Sequence, residues 1–161
     1  MPTMRDATKR VAGTVILLWL FQGAFASPTE PLRHEAYIWQ RAWSDSVREA
    51  TTQAAPALAG WIALGAEVGW KQGQLQIVRV PVDWKALRHT GKPYGVALRV
   101  GAYAGPFDEH GEIASLLADL AAALVKEAGQ PTELQIDFDC AAGKLDGYRN
   151  WVQATQYERG P

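Results

Sequence analysis

The sequence predicts an α/β fold in which four strand–helix units follow one another along the chain. Short runs rich in aromatic and β-branched residues alternate with amphipathic helical segments, and turn or capping residues separate them. Strands that alternate with helices need crossover connections, which favours a parallel sheet. Two architectures fit: an open doubly wound sheet and a (β/α) barrel. We expect a partial TIM-type barrel, about half of one, because a full barrel has eight units.

The strands are predicted from apolar runs bounded by turn-forming residues. The second run is followed by a turn at 69–73, so the segment after that turn is predicted to be the second arm of a hairpin or an inserted strand. Pro81 ends this segment. The predicted strands are 34–42, 61–68, 75–80, 94–100 and 134–140.

The helices are predicted from capping residues and from apolar periodicity. Ser44 and Asp83 are placed to cap the first two helices. The third helix follows a loop at 101–111 and ends at Gly129, and a last amphipathic helix begins at Leu145. The apolar residues of the third helix recur at the spacing of one helical face. They are Ile113, Leu116, Leu117, Leu120, Leu124 and Val125.

Residues 1–26 have the three parts of a secretory signal peptide. Basic residues precede an uncharged apolar run over 11–21, and alanines at 24 and 26 suit cleavage before Ser27. The alternative is an uncleaved membrane anchor, but the run is shorter than the roughly 20 residues that span a bilayer. We expect export by the general secretory route to the periplasm or the extracellular space, with no stable membrane span after cleavage.

Cleavage would leave residues 27–161, a length of 135 residues that suits a single α/β domain. Their formal net charge of about −3 provides no basic surface for nucleic acid. Cys140 is the only cysteine, so the domain has to be held together by its core, and we expect the thiol to be buried. The histidines lack metal-ligand spacing and no nucleotide-binding motif occurs, so neither a metal nor a cofactor is expected.

The last predicted strand, 134–140, carries the two acids that could act in catalysis. Asp137 and Asp139 alternate with apolar residues, so they share one face, with Cα atoms about 6.6 Å apart. In a barrel this face is the interior, and Asp139 lies near the C-terminal mouth, where active sites form. Arginines near the ends of strands 34–42 and 94–100, together with two tryptophans that could stack on a sugar, complete the candidate site. These substrate-binding candidates are Arg41, Arg99, Trp39 and Trp43.

A structural role explains the same residues. Ion pairs between acids and arginines at strand ends often hold a sheet together without taking part in chemistry, and a D-x-D pattern is short and common. Tryptophans in strands are more often core residues than ligand platforms. Both interpretations remain open at this point.

Four segments resemble an uncharacterised bacterial family of exported proteins, a domain-of-unknown-function family whose members resemble glycosidase-like TIM barrels. These segments are HEAYIWQRAW (34–43), VALRVGA (96–102), LQIDFDC (134–140) and KLDGYRNWV (144–152). The resemblance implies that Asp137 and Asp139 match the acidic end of a sugar-hydrolysing strand and that Arg41 and Arg99 match the strand arginines. It also implies further strands, and the glutamate that ends this strand in chitinase-like barrels is either replaced here by Cys140 or absent.

Three functions follow as expectations. The first is a glycoside-hydrolase-like enzyme that acts on carbohydrate. The second is a non-catalytic envelope or carbohydrate-binding module. The third is a truncated copy of a longer barrel without independent activity, which would self-associate through the exposed edges of its outermost strands.

Overall fold

Strands and helices alternate in the computed structural model, which describes residues 32–108 and 110–157. The predicted signal peptide therefore lies outside the described residues. In the part that is described, no helix is long and apolar enough to cross a membrane. The elements are β1 (Glu35–Ile38), α1 (Asp45–Ala54), β2 (Gly60–Lys71), β3 (Gln74–Arg79), α2 (Trp84–His89), β4 (Tyr94–Val100), α3 (Glu112–Ala128), β5 (Leu134–Phe138) and α4 (Leu145–Tyr157).

The parallel strands are neighbours in chain order. The sheet runs β1-β2-β4-β5, each pair parallel, and β3 is an antiparallel arm paired with β2. Right-handed crossovers that always step in the same direction place their helices on a single face. The strand order and pairing confirm the predicted mixed α/β fold with a parallel sheet. In a doubly wound sheet helices cover both faces, so the arrangement of the helices here is different.

Helices α1 to α4 pack on one face of the sheet, which we call the helix face. The side chains of β4 that point to it are Tyr94, Val96, Leu98 and Val100. Near the start of the sheet they meet residues of α1 and α2, including the fully buried Leu87. Toward its C-terminal end they meet α3 and α4, including the fully buried Leu117 and Trp151.

The edge of β2 is shared between two strands, which explains why β1 is shorter than predicted. β1 pairs with the first part of β2 and ends at the Ile38–Ala63 pair. From Gly65 onward the same edge is taken by the β3 arm, because Val80 N donates to Gly65 O at 2.9 Å. β5 also ends before its predicted limit, since the last partner that β4 offers it is Val100.

β2 carries a bulge between Leu64 and Ala66, where its register against β4 shifts by one residue. Gly65 is the inserted residue. A Cβ at this position would lie 2.5 Å from Leu124 Cδ2 and 2.7 Å from Val96 Cγ2. The absence of a side chain at Gly65 is therefore what lets α3 pack this closely on the sheet.

The bulge reverses the alternation of side chains along β2. Before it, Trp61 and Ala63 contribute to the core on the helix face. After it, Ala66 and Val68 do so. Glu67 consequently points to the opposite face, in register with Arg99 of β4.

The two predicted N-caps are present and one of them links two helices. Ser44 Oγ accepts from Val47 N, and Asp83 Oδ1 accepts from Ala86 N at 2.9 Å. The second oxygen of Asp83 accepts from Arg48 Nε of α1 at 2.7 Å. The Arg48 guanidinium, followed by the Ala86 amide, lowers the pKa of Asp83 below its ordinary value of 3.8.

We predict that Gly65→Ala destabilises the fold by about 1–3 kcal/mol, because the added methyl overpacks the contact between α3 and the sheet. The matched control is Gly69→Ala in the same strand, where an added Cβ has no heavy atom within 4 Å. Urea denaturation of both variants measures the difference. Equal free energies of unfolding for the two variants would contradict the close packing at Gly65.

We predict that the stability advantage of the wild type over Asp83→Asn depends on pH. A lowered carboxyl pKa in the folded state contributes stability above the unfolded value, and this contribution is lost as the pH falls through the folded value. Thermal unfolding should therefore show a higher midpoint for the wild type at pH 7, with the two midpoints converging below about pH 3.8. Asp45→Asn is the control, because Asp45 is the other, fully exposed partner of Arg48. A gap between wild type and Asp83→Asn that persists in acid would rule out the ion pair as its cause.

Candidate functional site

The face of the sheet opposite the helices, which we call the open face, gathers charged and aromatic side chains toward the C-terminal ends of the strands. Its central part is apolar and buried, with Ile62 and Ala97 at 2% and 0% exposure. Polar side chains surround this centre on β1, β2, β4 and β5. The candidate site is therefore built by four neighbouring strands.

Three charges form a row across the open face. Glu67, Arg99 and Asp137 are register partners on β2, β4 and β5, so the arginine lies between two carboxylates. Arg99 Nε lies 3.8 Å from Asp137 Oδ2. Glu67, whose side chain is only 17% exposed, forms an ion pair with Arg41, which follows β1.

Two aromatic rings continue this cluster along β1. The rings of Tyr37 and Trp39 are stacked, with centroids 5.3 Å apart and planes inclined by 4°. The Arg99 guanidinium lies over the Trp39 ring at 5.7 Å from the centroid. Tyr37 pairs with Ile62 of β2, and Arg99 pairs with Glu67 further along the same strand. Trp39, which follows Tyr37 along the chain, therefore lies between the tyrosine and the arginine. Aromatic stacking and a cation–π contact thus fix the direction of Arg99.

A hydrogen bond crosses the open face. Tyr37 Oη donates to Gln135 Oε1 at 2.7 Å. Tyr37 is on β1 and Gln135 on β5, so the bond passes over β2 and β4, a span of about 14 Å between the outer strands. The small residues Gly95 and Ala97 of β4 lie below this path, and their size leaves room for it.

A cavity of about 300 Å³ opens beside the charged row. It lies at the C-terminal ends of β2 and β4, and the β3 arm forms one wall. Arg41, Glu67 and Arg99 line it together with Lys71. Cations and a carboxylate that converge on one cavity can bind a ligand through several charge-assisted hydrogen bonds.

The structure brings together four of the six residues that the sequence singles out: Arg41, Arg99, Asp137 and Trp39. Asp139 is exposed and lies beyond the end of β5, because β4 provides no partner for the strand there. Trp43 is 8% exposed and belongs to the core on the helix face, so it does not join the other four. A buried ring cannot offer the exposed stacking surface that was expected of Trp43.

Sequence reasoning missed Glu67, Gln135 and the hydrogen bond that Gln135 accepts from Tyr37. Glu67 reaches the open face only because of the bulge at Gly65, and a glycine inside an alternating strand is the signal that could have indicated one. Gln135 precedes the two aspartates on the same face of its strand, but its partner Tyr37 lies 98 residues away, so the contact depends on the sheet order.

Asp137, near the end of β5, influences a tyrosine of α4. Tyr148 Oη donates to Ile136 O at 2.6 Å. Burial, and then the negative charges of Asp137 and Cys140, raise the pKa of the Tyr148 phenol above its ordinary value of 10.0. Cys140 itself has intermediate exposure, so the expectation of a buried thiol is wrong.

We predict that Tyr148 ionises later than an ordinary tyrosine and that Asp137→Asn lowers its midpoint without restoring the ordinary value, because burial is the larger cause. A raised phenol pKa in the folded state contributes stability that is present below pH 10 and is lost as the pH rises toward the folded value. Ultraviolet titration measures this, and Tyr148→Phe identifies the late phase by removing it. Asp139→Asn is the control, since Asp139 is not among the charges that shift Tyr148. Equal midpoints in the Asp137 and Asp139 variants would contradict the effect of Asp137.

No protein-family model matches the chain, and no curated protein matches it. The resemblance to an exported bacterial family therefore stays a prediction. Function has to be inferred from the contacts and charges of the open face.

Proposed function

We propose that the protein is an exported carbohydrate-binding domain whose sheet is one arc of a (β/α) TIM-type barrel, with the sugar site on the open face. The observation that carries the proposal is the Trp39–Arg99–Asp137 contact at the C-terminal ends of the strands. It joins an aromatic ring, a guanidinium and a carboxylate at one place. Export rests on the signal peptide that the sequence predicts.

Support for the barrel arc comes from the sheet order and from the side on which the helices lie. Parallel strands in chain order with all their helices on one face are the arrangement of a (β/α) barrel. In such barrels the open face becomes the interior, and ligands bind at the C-terminal ends of the strands. The cavity beside Glu67 and Arg99 is at that end. Self-association through the outer strands is a further part of this proposal.

Support for a sugar ligand comes from the mixture of side chains. Tyr37 and Trp39 are 48% and 38% exposed, which is high for large aromatic residues. They border a row of charged groups that can donate and accept hydrogen bonds. A saccharide presents both C–H surfaces and hydroxyl groups, and this face offers a partner for each.

Glycoside-hydrolase-like catalysis is the second candidate, because Glu67 and Asp137 lie on different strands and flank one position. Two strand spacings separate their Cα atoms by about 10 Å. Inverting glycosidases hold their carboxyl groups about 6.5–9.5 Å apart and retaining ones about 5–5.5 Å apart. The carboxyl groups and not the Cα atoms set this distance, so the Cα separation does not select between the two mechanisms. However, a general acid is usually kept protonated by apolar surroundings, whereas Glu67 and Asp137 are both paired with arginines. Binding is therefore favoured over catalysis.

We predict that Trp39→Ala weakens oligosaccharide binding at least tenfold, because the ring and the Arg99 orientation that depends on it are both lost. Isothermal titration calorimetry of the purified protein against a panel of oligosaccharides measures the affinity. Leu145→Ala is the control, since Leu145 is also a large exposed apolar residue, 52% exposed, but lies at the start of α4. Equal affinities in wild type and Trp39→Ala would place the sugar elsewhere.

The same oligosaccharides distinguish binding from catalysis. Release of reducing ends should stay at background with the wild-type protein if the domain only binds. Turnover that falls at least a hundredfold in Asp137→Asn and in Glu67→Gln would instead establish the enzyme. Turnover that is equal in wild type and in both variants would exclude this pair as the catalytic acids.

A further inference from the structure

The cavity on the open face has an unbalanced charge. Its lining contains three cations, Arg41, Lys71 and Arg99, against the single carboxylate of Glu67. Lys71 belongs to the same alternation as Glu67 beyond the bulge, so both point to the open face. The cavity therefore presents an excess of positive charge although the chain as a whole carries a formal net charge of −1.

The two arginines are held in place before any ligand arrives. Arg41 is paired with Glu67, and Arg99 is fixed by the Trp39 ring and by Asp137. Asp137 approaches Arg99 at Nε, which leaves the terminal nitrogens of that guanidinium for another partner. The side chains of Arg41 and Arg99 remain 66% and 46% exposed, so the donors are accessible. Guanidinium groups held in this way suit an oxyanion, which they can bind through two parallel hydrogen bonds.

The walls of the cavity leave space for such a group. Gly69 lines it and lies next to Gln76 of the β3 arm, and a Cβ at Gly69 would have no heavy atom within 4 Å. Gly101 lines it from the end of β4. A side chain at position 69 would extend into the cavity and leave the core on the helix face unchanged.

We infer that the cavity takes the oxyanion of an acidic saccharide, either the carboxylate of a uronic acid or a sulfate ester, bound between Arg41 and Arg99. This inference rests on the proposed carbohydrate function and narrows its ligand class. Asp137 and Glu67 orient the two arginines, and Trp39 borders the sugar ring that carries the anion. Neutral saccharides lack the group that the cavity binds most strongly.

The test compares an oligogalacturonate with its methyl ester, which has the same backbone without the charge. We expect calorimetry on the purified protein to give at least tenfold tighter binding for the acid, with a preference that weakens as salt rises. Arg99→Gln and Arg41→Gln should reduce the acid-to-ester ratio toward one. A sulfated oligosaccharide, measured in parallel, distinguishes sulfate from carboxylate as the preferred anion.

Two further variants test the cavity itself: one fills it without removing a charge, and the other removes an arginine that lies outside it. Gly69→Leu should lower the affinity for the acid at least tenfold while circular dichroism and the thermal midpoint stay unchanged. Arg79→Gln should leave the ratio unchanged, because Arg79 pairs with Glu127 of α3 and is not among the residues that line the cavity.

The outcomes separate this inference from the proposed function. Equal binding of acid and ester overturns the anion site and leaves carbohydrate binding intact. Binding of inorganic phosphate that depends on Arg41 and Arg99, without binding of any saccharide, supports the anion site and overturns the carbohydrate function. An acid preference that survives both arginine variants overturns the assignment to this cavity.

Discussion

The register shift at Gly65 is the constraint on which both faces of this sheet depend. Without it, strict alternation along β2 would place Glu67 on the same face as Trp61 and Ala63, in the apolar layer beneath the helices. A carboxylate in that layer would lack a partner in register and would cost several kcal/mol. The shift turns Glu67 toward Arg99 and returns Ala66 and Val68 to the core.

The charges on the open face are arranged for position more than for stability. Glu67, Arg99 and Asp137 alternate in sign across three neighbouring strands, so no like charges are direct neighbours in the row. Ion pairs with this exposure generally contribute between about 0 and 1 kcal/mol each, and the Arg99–Asp137 distance of 3.8 Å is long for a hydrogen-bonded pair. The apolar layers on the helix face, around Leu98 and Leu117, hold the sheet together. What the row provides is a set of donors and acceptors with fixed directions.

Local sequence signals predicted most of the helices and strands and part of the candidate site. The rest of the site depends on which strands pair with each other and in which register. The Ser44 and Asp83 caps and the α3 helix are local features, and each is present. Of the six apolar residues predicted to form the inner face of α3, only Leu117 and Leu124 are buried, and alanines make up the rest of the buried face. Alternation within the strands, together with the assumption that sequential strands pair, was enough to group Arg99 with Asp137. It failed at two strand ends, since the first strand was predicted to reach residue 42 and the last to include Asp139, whereas β1 ends at Ile38 and β5 at Phe138. Those limits are set by neighbouring strands, since β3 takes the edge of β2 and β4 ends opposite Phe138.

The β3 arm links the bulge to the cavity. Val80 N donates to Gly65 O, so the arm joins the edge of β2 at the residue where the register shifts. From there it runs back beside β2 and places Val78 and Gln76 next to Glu67 and Gly69. The wall of the cavity and the orientation of its carboxylate therefore have a common origin at Gly65. Because the same glycine lets α3 approach the sheet, packing on the helix face and geometry on the open face are coupled through one position.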